Sequence, residues 1–402
     1  MIISGGSEAV PGIKLAKKLG LNVVVSDGDS DAPGFKFADY KLIASTYDIN
    51  ATMLAATEFH ENINPIDGVI CIASDVPLTV AKVAQKLRLP GISIKSANLA
   101  IDKLAMKNCF HEHKVPVPWF INIESLKDLN KKVKIQNFPL VIKPVDSRGS
   151  RGVLRLLKGS NLEWAYNIAK EYSPTGRVML EKFMPGPQVS TESIVVNGIA
   201  HTIGFSDRNY ELLDQYAPHI IEDGGQLPSH LDDATKQSVE NLIQIAAESM
   251  GIHDGIVKGD IVITEGKPYV IELAARLSGG YFCTHEIPIN TGVDLVGAAM
   301  RQALGEKINP EDIQSKYNRP VAQRYIFPKP GKISSIDLPD WIINDPLVSF
   351  FELRVKKGDI IKPIIHHPSR AGVVITTGSK ISEAINKAKH VVSSVKIVTE
   401  RV

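Results

Sequence analysis

Apolar positions along the first ~95 residues fall into two alternating rhythms, short continuous runs and helical spacing, the pattern of an open α/β sheet. Runs at 1–4, 21–26, 68–73 and 91–94 predict strands. Between them, 7–19 carries Ala9, Ile13, Ala16 and Leu19 on one helical face, with Gly20 as a stop, and 76–87 predicts a second helix. Pro11 lies in the first turns, where proline is tolerated. Helices returning between short strands imply right-handed parallel crossovers. From Ser96 the rhythm changes: a helix over 97–113 capped by Ser96, ended by Pro116 and Pro118, then a strand at 140–143 running into a Gly/Arg/Ser loop. Strands at 178–183 and 190–196 are separated by Pro185-Gly186-Pro187. An amphipathic helix follows over 232–250, then a hairpin over 257–273 and a helix over 294–304 closed by Gly305. After Arg319, short β runs punctuated by Gly331, Gly358, Gly372 and Gly378 surround one helix at 381–392. The fold class expected is α/β and α+β, multidomain, with a small β-rich end.

Composition narrows the function classes. The 402 residues carry 46 Lys+Arg against 44 Asp+Glu, a net charge of +2, with 44% hydrophobic and 22% charged positions. That is ordinary for a globular chain and shows neither a basic stripe for nucleic acid nor a polybasic membrane anchor. No apolar run approaches the roughly 18–20 residues that span a bilayer, and Met1-Ile2-Ile3-Ser4 lacks the features of a signal peptide. Cys71, Cys109 and Cys283 lie far apart with no CxxC pair, which points to a reducing cytoplasm rather than a disulfide scaffold or Cys-rich zinc site.

The hairpin is the most informative segment. An odd-numbered loop centred on Gly266 puts Asp260 opposite Glu272 on one face and pairs Ile261 with Ile271 and Ile263 with Tyr269 on the other. Like charges opposed in a ladder need a counter-charge, and a divalent cation supplies one; magnesium is held by one or two carboxylates plus substrate phosphates. A two-residue Glu265-Gly266 loop would instead separate the acids, and two solvated acids on an exposed face is the competing reading. Arg276, four residues past Glu272, offers a planar fork to phosphate or carboxylate. Lys143 ends an apolar strand just ahead of Ser147-Arg148-Gly149-Ser150-Arg151-Gly152, a loop small enough for backbone N–H groups to approach phosphates but not a GxxxxGK[ST] motif. Glu181-Lys182-Phe183-Met184 leaves a strand where backbone groups could read an adenine edge, and Lys103 and Lys107 share a helix face that reads most simply as solvated. Gly5-Gly6 with Asp27 lacks GxGxxG spacing and reads as a tight turn. His285-Glu286 beside Cys283 lacks a second histidine for zinc, and His366-His367 reads as surface.

In their joint order these pieces resemble the ATP-grasp superfamily, in particular its carboxylate–amine ligase branch, which includes L-amino-acid ligases and carbamoyl-phosphate-synthetase-like enzymes. The matching run includes Asp102-Lys103, the 141–144 strand and its loop, 181–184, Pro228-Ser229, Asp260 with Glu272, Arg276, and Thr291-Gly292-Val293-Asp294-Leu295-Val296. The resemblance implies a Rossmann-like domain over 1–97, an ATP-grasp domain over 98–306 with a lid at about 140–185, and a β-rich domain over 307–402. It implies ATP and Mg²⁺ as cofactors (one or two ions, with Mn²⁺ able to substitute). Lys103 and Lys143 are then the ATP-contacting lysines, and Gly149, Ser150 and Gly152 belong to the phosphate-covering loop. Glu181, Lys182, Phe183 and Met184 form the adenine hinge, with Glu192 or Gln188 near the ribose. Asp260 and Glu272 become the metal ligands, and Arg276 with Lys143 the catalytic pair serving an acyl phosphate. Two departures stand out: Asp260 is one methylene shorter than the usual Glu, and Ala274 replaces a frequent Asn. The biotin-carboxylase pattern is not apparent. The implied reaction joins a small-molecule carboxylate, an amino acid among the options, to an amine and releases ADP and phosphate, with substrate contacts sought at Arg208, His219, Ser278, His285 and Glu286. A homodimer is the common outcome for such enzymes. The rival readings are a non-catalytic ATP-binding regulator and a nicotinamide-dependent oxidoreductase.

Overall fold

The buried runs Ile2–Ile3, Val24–Asp27 and Ile70–Cys71 lie side by side in a parallel sheet, with Tyr40–Ile43 at its edge. A computed structural model describes residues 1–401. Helices Val10–Lys18, Ile49–Asn62 and Pro77–Leu87 cover this sheet; the second of them and the edge strand carry no strong apolar rhythm. The run at 91–94 is no strand. Ser93 Oγ accepts from Ser96 N at 3.0 Å and caps a helix, Ile94–Ile101, so the chain turns helical before it can pair. The single helix expected over 97–113 is two. Asp102, at φ −118° and ψ 100°, breaks it and caps Lys103–Glu112 by accepting from Ala105 N at 2.8 Å. That break turns the lysine face inward: Lys103 is 8% exposed and Lys107 1%, so the solvated basic face expected there does not exist.

Next comes an antiparallel sheet in the order Phe120–Ile123, Val178–Lys182, Leu140–Pro144, Leu154–Leu156. Leu126–Ile135 and Leu162–Glu171 pack on it over Leu129, Leu140, Ile142, Leu154 and Leu180. This lid sheet starts at Phe120, ahead of the 140–185 span read from sequence, because Val178–Lys182 needs a partner on both sides and takes Phe120–Ile123 on one.

The third sheet has eight strands, all antiparallel. Its order is Lys267–Ala274, Gly255–Thr264, Gln188–Val196, Ile199–Asn209, Gly224–Leu227, Val321–Ile326, Gly372–Thr377, Val348–Leu353. The last three belong to the β-rich end, which therefore continues the central sheet. Gly224 makes the seam possible: a Cβ there would stand 2.1 Å from the Gln323 carbonyl oxygen. A smaller sheet, Ile360–Ile361, Gly331–Asp337, Lys396–Glu400, and the helix Ile381–Ser394 complete that end. No helix among the described residues is long and apolar enough to cross a membrane. Gly224→Ala should force the seam apart and cost about 1–3 kcal/mol, read as a lower urea midpoint. An unchanged midpoint would mean that the two strands are not held this closely.

Candidate active site

The lid sheet, the eight-stranded sheet and the front sheet converge on one cleft of about 550 Å³. Its acid pair depends on a detail of the hairpin. Glu265 and Gly266, at φ 52° and 74°, form a two-residue turn of the kind favoured in hairpins. That is the even loop whose register should separate the acids: Ile261 faces Val270 and Ile263 faces Pro268, so the expected Ile261/Ile271 and Ile263/Tyr269 pairs do not form. A bulge then absorbs Ile271, and beyond it Asp260 lies opposite Glu272 after all. Ile271 and Glu272 both line the cleft, and the apolar face is built from Ile261, Ile263, Val270 and Leu273.

Cations meet both acids. Arg208 Nη1 lies 2.8 Å from Asp260 Oδ1, Ser190 Oγ donates to the same oxygen at 3.1 Å, and Lys258 pairs with it too. Burial alone would raise the Asp260 carboxyl, but the Arg208 and Lys258 charges outweigh it and hold it well below the usual carboxylate range. Lys103 Nζ reaches Glu272 Oε1 at 3.1 Å and donates to the Ser147 carbonyl at 2.5 Å, which ties the broken helix to the loop. Lys143 and Lys107 both pair with Glu181, which is 3% exposed. Burial works against the Glu181 charge, and the two ammonium groups override it and keep the carboxyl low. Glu181 therefore holds lysines in place, a task the sequence reading, which set it at an adenine hinge, did not foresee. Lys182, Phe183 and Met184 line the cleft beside it; Lys182 Nζ donates to the Asn137 carbonyl at 2.7 Å.

The glycine-rich loop lies folded over the cleft. Gly149 O accepts from His367 N at 3.0 Å, Ser150 Oγ donates to the Ile220 carbonyl at 2.6 Å, and the Arg148 guanidinium stacks 3.8 Å from the Tyr47 ring centroid. Gly149 and Ser150 line the cleft. Gly152 does not; it packs at the loop's root, where a Cβ would stand 3.0 Å from Pro144 and Tyr172. Glu192 is also removed from the ribose role expected of it. It is fully buried, and its carboxylate accepts from Ser278 N at 2.7 Å and from Ser278 Oγ, fixing the segment after Arg276. Gln188 does line the cleft. Arg276 Nε donates to Asp75 Oδ1 at 2.6 Å. Burial would lower the Arg276 pKa, but Asp75 more than offsets it, so the guanidinium stays charged.

Asp75, Lys258, Glu222 and Arg370 also line the cleft and were not singled out in sequence, and His367 joins them. Lys258 could have been: it sits two residues before Asp260, on the same strand face. His367 is not surface; its Nε2 accepts from Glu222 N at 3.3 Å, and burial next to Arg370 pushes its pKa well below the usual value. The rest are brought in by tertiary packing.

At the crevice between the first and fourth strands of the front sheet, where dinucleotides bind, the chain bridges across: Leu277 pairs with Ile72, Ala73 N donates to Leu277 O at 3.2 Å, and Gly280 N donates to Glu8 Oε2 at 2.7 Å, so this edge belongs to the wall of the cleft. Gly5 N donates to Asp27 Oδ2 at 2.8 Å, so that acid serves the turn. Among the described residues no three His, Cys, Asp or Glu side chains gather as a metal cage, at Cys283 and His285 or elsewhere. Asp260 and Glu272 can still supply hard oxygen donors to a magnesium ion that takes its remaining ligands from phosphates and water; the protein contacts on Asp260 named above all fall on Oδ1.

Residues 100–280 match the ATP-grasp domain model, and residues 324–400 match the model of L-amino acid ligase C-terminal domain 2. An uncharacterized protein of Sinorhizobium fredii is 24% identical over 82% of this chain and 68% of its own length. A D-alanine–D-alanine ligase of Pseudomonas fluorescens is 27% identical over 46% of this chain; the match spans 56% of that ligase. The crystal structure of an L-amino acid ligase from Bacillus licheniformis superposes with a TM-score of 0.84 at 22% identity, covering 100% of this chain and 98% of that one, a likeness of fold.

Burial, against the two Ser278 bonds, pushes the Glu192 carboxyl up to about 7 from 4.5. The folded state therefore holds a proton that the unfolded chain releases, and stability should fall as pH rises from about 4.5 to about 7. Glu192→Gln should flatten that slope in thermal unfolding; an equally steep profile would mean that Glu192 is ionised across the range.

Proposed function

We propose that this chain, an ATP-grasp enzyme of the carboxylate–amine ligase kind, activates a small carboxylate with ATP and passes the acyl group to an amine. A carboxylate oxygen attacks the γ-phosphorus and ADP leaves. The amine nitrogen then attacks the acyl carbon, phosphate leaves with the bonding electrons, the nitrogen gives up a proton, and an amide results. The observation that carries this reading is the placement of Asp260 opposite Glu272 in a cleft that also holds Lys103, Lys143 and Arg276.

The chemical difficulty is the approach of two anions, the carboxylate and the γ-phosphoryl group. Lys143, steadied by Glu181, and Lys103, bridging Glu272 to the loop, present fixed positive charge to the phosphates. Arg276, steadied by Asp75, remains cationic and offers its fork to the negative charge that builds on the acyl phosphate. Asp260 and Glu272 would hold Mg²⁺, which supplies further charge neutralisation when bound. Loop 147–151, drawn over the cleft by His367, Ile220 and Tyr47, keeps water from an acyl phosphate that would otherwise hydrolyse. Phe183 and Met184 give the adenine ring an apolar seat. The free thiols Cys71, Cys109 and Cys283 support a cytoplasmic setting.

An ADP-release screen over pairs of amino acids and small carboxylates tests the reaction. One or more pairs should release ADP with an amide product; ATP binding with no release across the panel would favour the regulator reading. With an active pair, Glu272→Gln should cut turnover about 100-fold or more while the circular dichroism spectrum is kept. Retained turnover would defeat the metal assignment. Arg276→Ala should lower kcat far more than it weakens ATP binding, and equal losses would make the arginine structural.

A further inference from the structure

Glu286 closes the π-helix Phe282–Glu286, directly after Tyr281, which adopts the left-handed region at φ 66°. It is 3% exposed yet lines the cleft, and no protein group bonds its Oε2. Gly225 lies beside that oxygen and also lines the cleft. A buried acceptor without a donor is costly, and exceptions in a folded protein call for an explanation. Its neighbours do not provide the partner. Arg324 spends Nη1 on the carbonyls of Gly225 at 3.1 Å and Gln323 at 2.8 Å. Glu222, the other acid at this end, is occupied by Arg208, whose Nη2 donates to it at 2.6 Å. Glu286 is thus the free acceptor, while Glu222 is already answered.

We propose that Glu286 is a specificity-determining residue, which accepts a hydrogen bond from a primary amino group on one of the substrates. The proposal rests on the ligase reading above and deepens it. A substrate hydroxyl could also donate to Oε2, but an ammonium group supplies, besides the donor, a charge opposite to that of the carboxylate. Burial, followed by the Glu222 charge, pushes the Glu286 carboxyl up to about 8 against the pull of Arg324, and an ammonium group beside it favours the ionised form that accepts the hydrogen bond.

Calorimetric titration of the full chain saturated with MgADP is the test. The probes are the twenty amino acids of proteins in L form, with the des-amino and 2-hydroxy counterparts of the tightest binder. In the wild type an amino acid should bind about tenfold or more tightly than either counterpart, the gain expected of a hydrogen bond to a charged group. Glu286→Gln and Glu286→Met should both lose that preference. An unfolding midpoint of the Gln variant equal to or above the wild type's shows that the fold is intact. A hydroxy acid held as tightly as its amino acid, no preference in the wild type, or a preference that survives both substitutions would each overturn the proposal. MgADP binding, measured first, separates the two levels. Its failure in the wild type defeats the ligase reading itself, whereas its retention without an amine preference defeats only the role given to Glu286.

Discussion

The cleft is organised around two carboxylates that the ladder sets directly against each other. Asp260 and Glu272 repel, and positive groups answer them where the ladder opposes like charges. Arg208 and Lys258 take Asp260, and Lys103 takes Glu272. On the proposed reading, a metal–nucleotide complex would take over part of this charge balance. The three cations that answer the acids thus stand at the place where phosphate oxygens would need positive charge.

Holding those cations still is the work of a second layer. Glu181 gathers Lys107 and Lys143 at one buried carboxylate, and Asp75 reaches from the front sheet to Arg276. A buried acid flanked by two lysines is tolerable because neither charge is left alone. On the proposed reading, such an arrangement would lower the reorganisation needed for phosphoryl transfer, since the charges are already fixed at the cleft. Lys107 has no place at the surface in this scheme; its ammonium lies among Glu181 and the Val270 carbonyl, which the helix break at Asp102 makes reachable.

Much of this was legible in the sequence, and the parts that were not share a cause. Apolar rhythm marks the front sheet, the helix Asp233–Ser249 and the hairpin, because burial of one face leaves a periodic trace. Asp260 and Glu272 were read as opposed, yet by the wrong route: the turn is even, and one bulged residue, Ile271, restores the pairing. A bulge leaves no periodic signal, so the register of the apolar pairs was missed. Glu192 reads in sequence like any acid on a strand facing a site, but its neighbour across space, Ser278, lies far along the chain and turns it into an anchor. Asp75, His367 and Arg370 enter the cleft from segments remote in sequence, where local spacing carries no information.

The bridged edge of the front sheet has a consequence for how the molecule is built. Leu277 to Gly280 follow directly from the strand that carries Glu272, and they are threaded between Ile72, Ala73 and Glu8. Glu8 in turn pairs with Arg354 at 2.8 Å, from the other extremity of the chain. What looks like a row of consecutive modules is therefore interlocked, with one unit's backbone serving as the missing wall of another. Fragments cut at the apparent boundaries would each keep a raw face, and a hybrid grafting a different front unit onto this chain would have to reproduce the carboxylate at position 8 before its catalytic half could close.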